Sequence, residues 1–150
     1  MFSGKPIDYQ DEVLENAGFW PDLNLADFQS QRKIPADIDP DTAAQALLTA
    51  AVEVNAELET VESGWRAKGY VAATDVPGVM LKGVNGLCAQ YTKAVFARAK
   101  ADLMGEFATI GRRDSHPGQE STETKAGLLA EASIVIRRMK GLKRATVRKV

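Results

Sequence analysis

The chain has one cysteine, one histidine and no apolar run long enough to cross a bilayer. With Cys88 alone, no intramolecular disulfide and no cysteine-rich metal site can form. A membrane span needs about 18 consecutive apolar residues, and none occurs. The N-terminal residues also lack the basic-then-apolar layout of a secretory signal. These absences point to a chain that works or assembles in a reducing cytoplasm, with no membrane partner. Phosphate loops are missing too: neither GxxxxGK followed by Ser or Thr nor GxGxxG is present, and the lysine of VPGVMLKGVNG stands outside both patterns.

Catalysis finds little to work with. His116 lies between Ser115 and Pro117, and a catalytic histidine needs a nucleophile and an orienting acid brought to it. Adjacency of Asp114 and Ser115 in sequence supplies neither, so His116 is expected to be an exposed loop residue. One histidine and one cysteine on different segments do not make a metal-ligand cluster. The pairs Glu53 with Glu57 and Glu59 with Glu62 have helical spacing, which makes them neighbours on a solvated face. Glycoside hydrolysis requires two carboxylates across a cleft instead. No enzyme activity and no cofactor are expected.

What is present is the make-up of one globular domain spanning residues 1–150: 16.2 kDa, 45% hydrophobic and 26% charged. A net charge of -1 hides a division. The first 62 residues carry thirteen acids against three bases, whereas Arg137 to Lys149 carry seven bases and no acid. The plain explanation is a soluble surface with a basic tail. A functional one is that the acidic region of one copy meets the basic end of the next, or that the tail meets nucleic acid. Head-to-tail contacts close into rings when the rotation permits.

Periodicity places a helical core over about 22–140 and a basic arm over 141–150. Leu23 to Gln31 is expected to form a short helix capped by Asp22 or Asn24. Asp39 and Pro40 are a helix start, and Ala44, Leu47, Leu48, Ala51, Val54, Leu58, Val61 and Trp65 recur at helical spacing. That predicts one helix over 40–66, about 40 Å long. A second long helix fits 86–109, with Cys88, Tyr91, Val95, Ala99, Leu103 and Phe107 on one face. A third, capped by Ser121 or Thr122, fits up to Lys140, with Leu128, Leu129, Ala132, Val135, Ile136 and Met139 inward and Gly141 ending it. Residues 1–21 and 67–84 are expected to be irregular, with Tyr70, Val76, Val79 and Leu81 covering helix ends, and 111–121 to be a mobile loop. The predicted class is all-α: a small bundle of three long helices and one short helix, with an extended C-terminal arm.

The stretch NAGFWPDLNLADFQ, residues 16–29, offers the largest apolar anchors. Pro21 restricts Trp20 to extended backbone. Phe19 and Trp20 can staple the N-terminal segment onto their own bundle, or insert at a subunit contact. Arg137, Arg138, Lys140, Lys143, Arg144, Arg148 and Lys149 could neutralise phosphates, although no aromatic residue interleaves them. The candidate subunit-contact residues are therefore Phe19, Trp20, Arg137, Arg138, Lys143, Arg144, Arg148 and Lys149. A DNA-binding helical module using the basic C-terminal region is the alternative reading.

Several segments, in order, resemble one family. GFWPDLNLADFQSQRKI is similar to an N-terminal signature of an aromatic pair, Pro-Asp and a short helix. DPDTAAQALLTAAVEVNAELETVESGWRAKGY resembles a long helix with VNAEL inside it, and TDVP follows. GLCAQYTKAVFARAKADLMGEF is similar to a second helix with a YxxAVxxxAKAxL pattern, and RATVRKV to a short extended end. The family is that of the head completion, or head stabilisation, proteins of contractile-tailed phages and prophages. The resemblance implies a structural protein of the virion neck, assembled in the host cytoplasm, that joins the portal vertex after DNA packaging and prepares the filled head for tail attachment. It further implies as partners the portal protein, the next neck or tail-completion protein, copies of the chain itself in a ring, and the packaged DNA passing through it.

Overall fold

A computed structural model describes residues 10–111 and 123–142, with the backbone alone over 106–111. The elements run in the order β1 (Val13–Leu14), β2 (Leu23–Asn24), α1 (Leu25–Gln31), α2 (Pro40–Glu57), α3 (Glu59–Ala67), a 3-10 turn (Ala73–Asp75), β3 (Met80–Leu81), β4 (Val84–Asn85), α4 (Gly86–Gly111) and α5 (Lys125–Met139). The all-α expectation of three long helices and one short one is therefore corrected. Among the described residues there are five helices and two small antiparallel sheets, β1 with β2 and β3 with β4. In the first, Val13 faces Asn24 and Leu14 faces Leu23; in the second, Met80 faces Asn85 and Leu81 faces Val84. Each strand has two residues, too short for apolar alternation to show in a sequence.

The extra helix comes from a break at Leu58. Its φ of -97° and ψ of 10° leave the helical region, and α2 and α3 meet there. No Pro or Gly marks the site. The Leu58 N–H still reaches the Val54 carbonyl at 2.9 Å and Glu62 N–H reaches the Leu58 carbonyl at 2.9 Å. The ladder is thus bent rather than cut, and the apolar spacing continues across it.

Side-chain caps start α1 and α5, whereas α2 opens on Pro40 without the hydrogen bond expected of Asp39 as its cap. Asn24 accepts from the Ala26 and Asp27 N–H groups at the start of α1, and Thr124, three and two positions beyond Ser121 and Thr122, accepts from Gly127 at the start of α5. α5 ends with Gly141 at φ +72°, Gly141 N–H on the Arg138 carbonyl and Leu142 N–H on the Arg137 carbonyl. That is the left-handed termination for which glycine is suited. The expected loop over 111–121, with His116, and the arm beyond Leu142 lie outside the described residues.

α4 is the axis of the fold, packed between α2 and α5. It is consequently buried on more than one face. Ala94, Ala97, Ala99 and Ala101 are all fully buried, and these small side chains let α2 and α5 approach closely. A small satellite cluster of Ala97, Ala101, Leu128 and Ala132 extends the core between α4 and α5. Helical spacing puts Leu48 and Leu129 inward, yet both are exposed, because each sits at the margin of its helix's apolar stripe. Charged pairs clip helices together: Arg98 to Glu57 at 3.0 Å between α4 and α2, Lys100 to Glu123 ahead of α5, and Arg32 to Glu131 at 2.8 Å between the end of α1 and α5. Hydrogen bonds from Arg32 hold the Glu131 carboxyl below the ordinary glutamate range, against a smaller opposing effect of burial.

Candidate functional site

The Phe-Trp pair is held inside its own chain. Phe19 is 1% exposed and Trp20 4%. Their rings meet edge to face at 4.9 Å, and the Trp20 indole lies flat on Tyr91 of α4, centroids 4.8 Å apart and planes 5° from parallel. The Arg66 guanidinium of α3 covers the Phe19 ring at 5.4 Å. The Phe19 carbonyl accepts from Ala73 N–H at 2.8 Å, which ties the segment to the 3-10 turn.

A closed polar ring completes this anchorage. Asn16 Nδ2 donates to Tyr91 Oη at 2.8 Å, Tyr91 Oη donates to Asn55 Oδ1 at 2.6 Å, and Asn55 Nδ2 donates to Asn16 Oδ1 at 2.9 Å. Asn16 also donates through Nδ2 to the Pro21 carbonyl and through its N–H to Asp22 Oδ1, both across the Phe-Trp turn. Burial pushes the Tyr91 phenol up to about 12, with the Asn16 and Asn55 hydrogen bonds opposing the shift. Every member of the ring is satisfied, so it fixes position without an orphaned polar group.

The outward-facing chemistry lies elsewhere. Strands β3 and β4 join through Lys82 and Gly83, at φ +51° and +77°, the signature of a tight two-residue hairpin. Its root is pinned. Asn85 is buried and donates to the Ala73 and Val76 carbonyls at 2.7 and 2.9 Å, and its Oδ1 accepts from Cys88 N–H at 2.8 Å. Its tip is apolar and bare: Val79 is 85% exposed, Met80 58%, Leu81 76% and Val84 46%. Val79 and Leu81 therefore do not cover helix ends.

Beside the hairpin runs a groove of about 520 Å³ between α1, α4 and the hairpin itself. Leu23, Cys88 and Phe96 form an apolar floor, and Gly83 and Val84 form one wall. Asp22 and Asp27 line one rim, Arg32 and Lys93 another. Arg32 is already engaged by Glu131 and by the Lys93 carbonyl. Burial raises the pKa of the Cys88 thiol, which makes it a poor nucleophile.

Of the basic candidates, Arg137 and Arg138 lie exposed in the last turn of α5; Lys143, Arg144, Arg148 and Lys149 fall outside the described residues. Sequence reasoning missed Asn16, Asn55 and Tyr91 as partners of the aromatic pair, because spacing within a segment carries no signal for a contact across 75 positions. It missed the hairpin for want of Asn or Asp before the turn glycine; the Lys82-Gly83 pair flanked by Leu81 and Val84 was the available cue. Among the described residues no group of three or more His, Cys, Asp or Glu side chains could hold a metal ion.

Comparison with known proteins decides the family. The model for the phage head completion protein (GPL) family matches residues 14–150. The chain belongs to that family. It is 38% identical over 147 residues to a probable head completion/stabilization protein of Haemophilus phage HP1, covering 98% of both chains. It is also 26% identical over 98 residues to the head completion/stabilization protein of Escherichia phage P2, covering 65% of this chain and 58% of that one. None of the solved structures matches it. The chain is thus a structural protein of phage head completion and stabilisation, not an enzyme.

Proposed function

We propose that this head-completion protein acts at the portal vertex after DNA packaging, where copies arranged in a ring extend the DNA channel and present a surface to the next neck or tail-completion protein. The observation that carries this reading is the division of charge: an acidic front half, and a basic end that begins at exposed Arg137 and Arg138 in the last turn of α5. Opposite charges at two places on one chain favour heterologous contacts, which form a ring where the rotation between copies closes. The basic end, with Lys143, Arg144, Arg148 and Lys149, meets the portal or a neighbouring copy. In the assembled ring it also lies beside passing DNA in the virion neck.

The test is mass measurement and imaging of the chain mixed with its cognate portal-containing heads. Occupied portal vertices are expected, with occupancy reduced by charge-neutralising substitutions at Arg137 and Arg138. Vertices left empty at saturating protein overturn the reading. A free-standing DNA-binding module would instead show tight, salt-dependent duplex binding by the isolated chain, lost on the same substitutions.

A further inference from the structure

We infer that the β3–β4 hairpin is an insertion element that docks in the groove between α1 and α4 of a second copy of this chain. This rests on the reading above in one respect, that copies stand side by side.

Three observations carry it. The hairpin presents Val79, Met80, Leu81 and Val84 to solvent while its root is locked by Asn85. Exposed, rigid and contiguous apolar surface of this kind marks a contact site. The same molecule carries a receptor of fitting chemistry, with an apolar floor of Leu23, Cys88 and Phe96 and space of about 520 Å³. Finally, the charges match. Lys82 is the one charged residue in 79–84, and the groove rim offers Asp22 and Asp27. The rim cation Arg32 is neutralised by Glu131, with Lys93 the remaining positive group.

Because Gly83 and Val84 already wall the groove, the incoming hairpin lies alongside the resident one and covers its Val84 as well. Residues 79–84 are few beside the roughly 20–30 residues a side of a standard interface. The contact is therefore weak between free copies and effective between copies held adjacent, where the local concentration is high.

Two chains test this, both carrying Cys88→Ala, which removes the native thiol and keeps the groove floor apolar, and tags of different mass. One has Leu81→Cys in the hairpin and the other Ala89→Cys on the groove. Positions 81 and 89 are both exposed, so neither introduced cysteine disturbs the core, and a thermal melt of each chain verifies the fold with position 88 changed. The mixture is oxidised in concentrated solution and after addition to portal-containing heads. A disulfide joining position 81 of one chain to position 89 of the other is expected. Lys82→Glu should lower its yield several-fold, and adding Asp27→Lys to the groove chain should restore it. Occupied heads with no such disulfide, or with only 81-to-81 links, overturn the inference and leave the portal reading standing. The mixed disulfide in solution with empty heads does the reverse. Absence of both disulfide and occupancy removes both.

Discussion

The indole of Trp20 lies parallel to the phenol ring of Tyr91, 4.8 Å away, although the two belong to segments at opposite ends of the first hundred residues. The stack and the Asn16–Tyr91–Asn55 ring are separable by mutation. Tyr91→Phe keeps the ring contact but leaves Asn16 and Asn55 facing a hydrogen. It should cost about 1–3 kcal/mol. Trp20→Ala removes the stack and opens a cavity, with an expected cost of about 3–5 kcal/mol. Urea denaturation of both variants measures the difference, and equal losses would show that the hydroxyl ring contributes as much as the stack.

Tyr91 also sets an alkaline limit. Its pKa rises from 10.0 unfolded to about 12 folded, so the unfolded state releases the proton first. Its contribution is complete below pH 10 and is lost as pH rises towards 12, at about 1.4 kcal/mol per pH unit. Denaturation monitored across pH 9–12 should show that decline, and Tyr91→Phe should flatten it.

The Arg32–Glu131 pair works in the opposite direction. Glu131 is held below its ordinary value, so its contribution is present above the unfolded glutamate pKa and disappears as pH falls through the folded one. Glu131→Gln should cost about 0.5–1 kcal/mol at neutral pH and nothing in acid. A double-mutant cycle with Arg32→Ala at pH 7 and at low pH reads the coupling directly.

The hairpin turn should respond to backbone chemistry. At Gly83 no atom lies within 4 Å of an added Cβ, so Gly83→Ala tests the φ of +77° alone. A loss of about 1 kcal/mol is expected. Lys82, also left-handed, should gain stability on Lys82→Asn. Thermal melts of the two variants should move in opposite directions.

Local chemistry was legible in the sequence where one residue dictates one conformation. Pro40 after Asp39 opens α2, Asn24 caps α1, and Gly141 closes α5 as its spacing requires. The break at Leu58 was not legible, because the apolar spacing runs unbroken across it and no Pro or Gly marks it. Strands of two residues hide for the opposite reason, having too few positions to show a period. Nor can periodicity tell that α4 is central: its alanines look like ordinary helix formers until α2 and α5 cover them. In the candidate contact surface, the basic turn at Arg137 and Arg138 was visible as charge. The hairpin's exposure was not, since Val79 and Leu81 have core-like side chains.

The distance in sequence between Trp20 and its platform has a consequence during synthesis. Tyr91 follows Trp20 by 71 residues, and at about 5–20 residues per second it is made roughly 4–14 s later. For that interval the Trp20 indole lacks the ring it stacks on. The thirteen acids of the first 62 residues surround the pair during that wait. Like charge repels one nascent chain from another, as gatekeeper residues do beside any sticky segment. The same acidic front half that divides the charge of the finished chain therefore lies where it would keep nascent chains apart while the Trp20 stack is still incomplete.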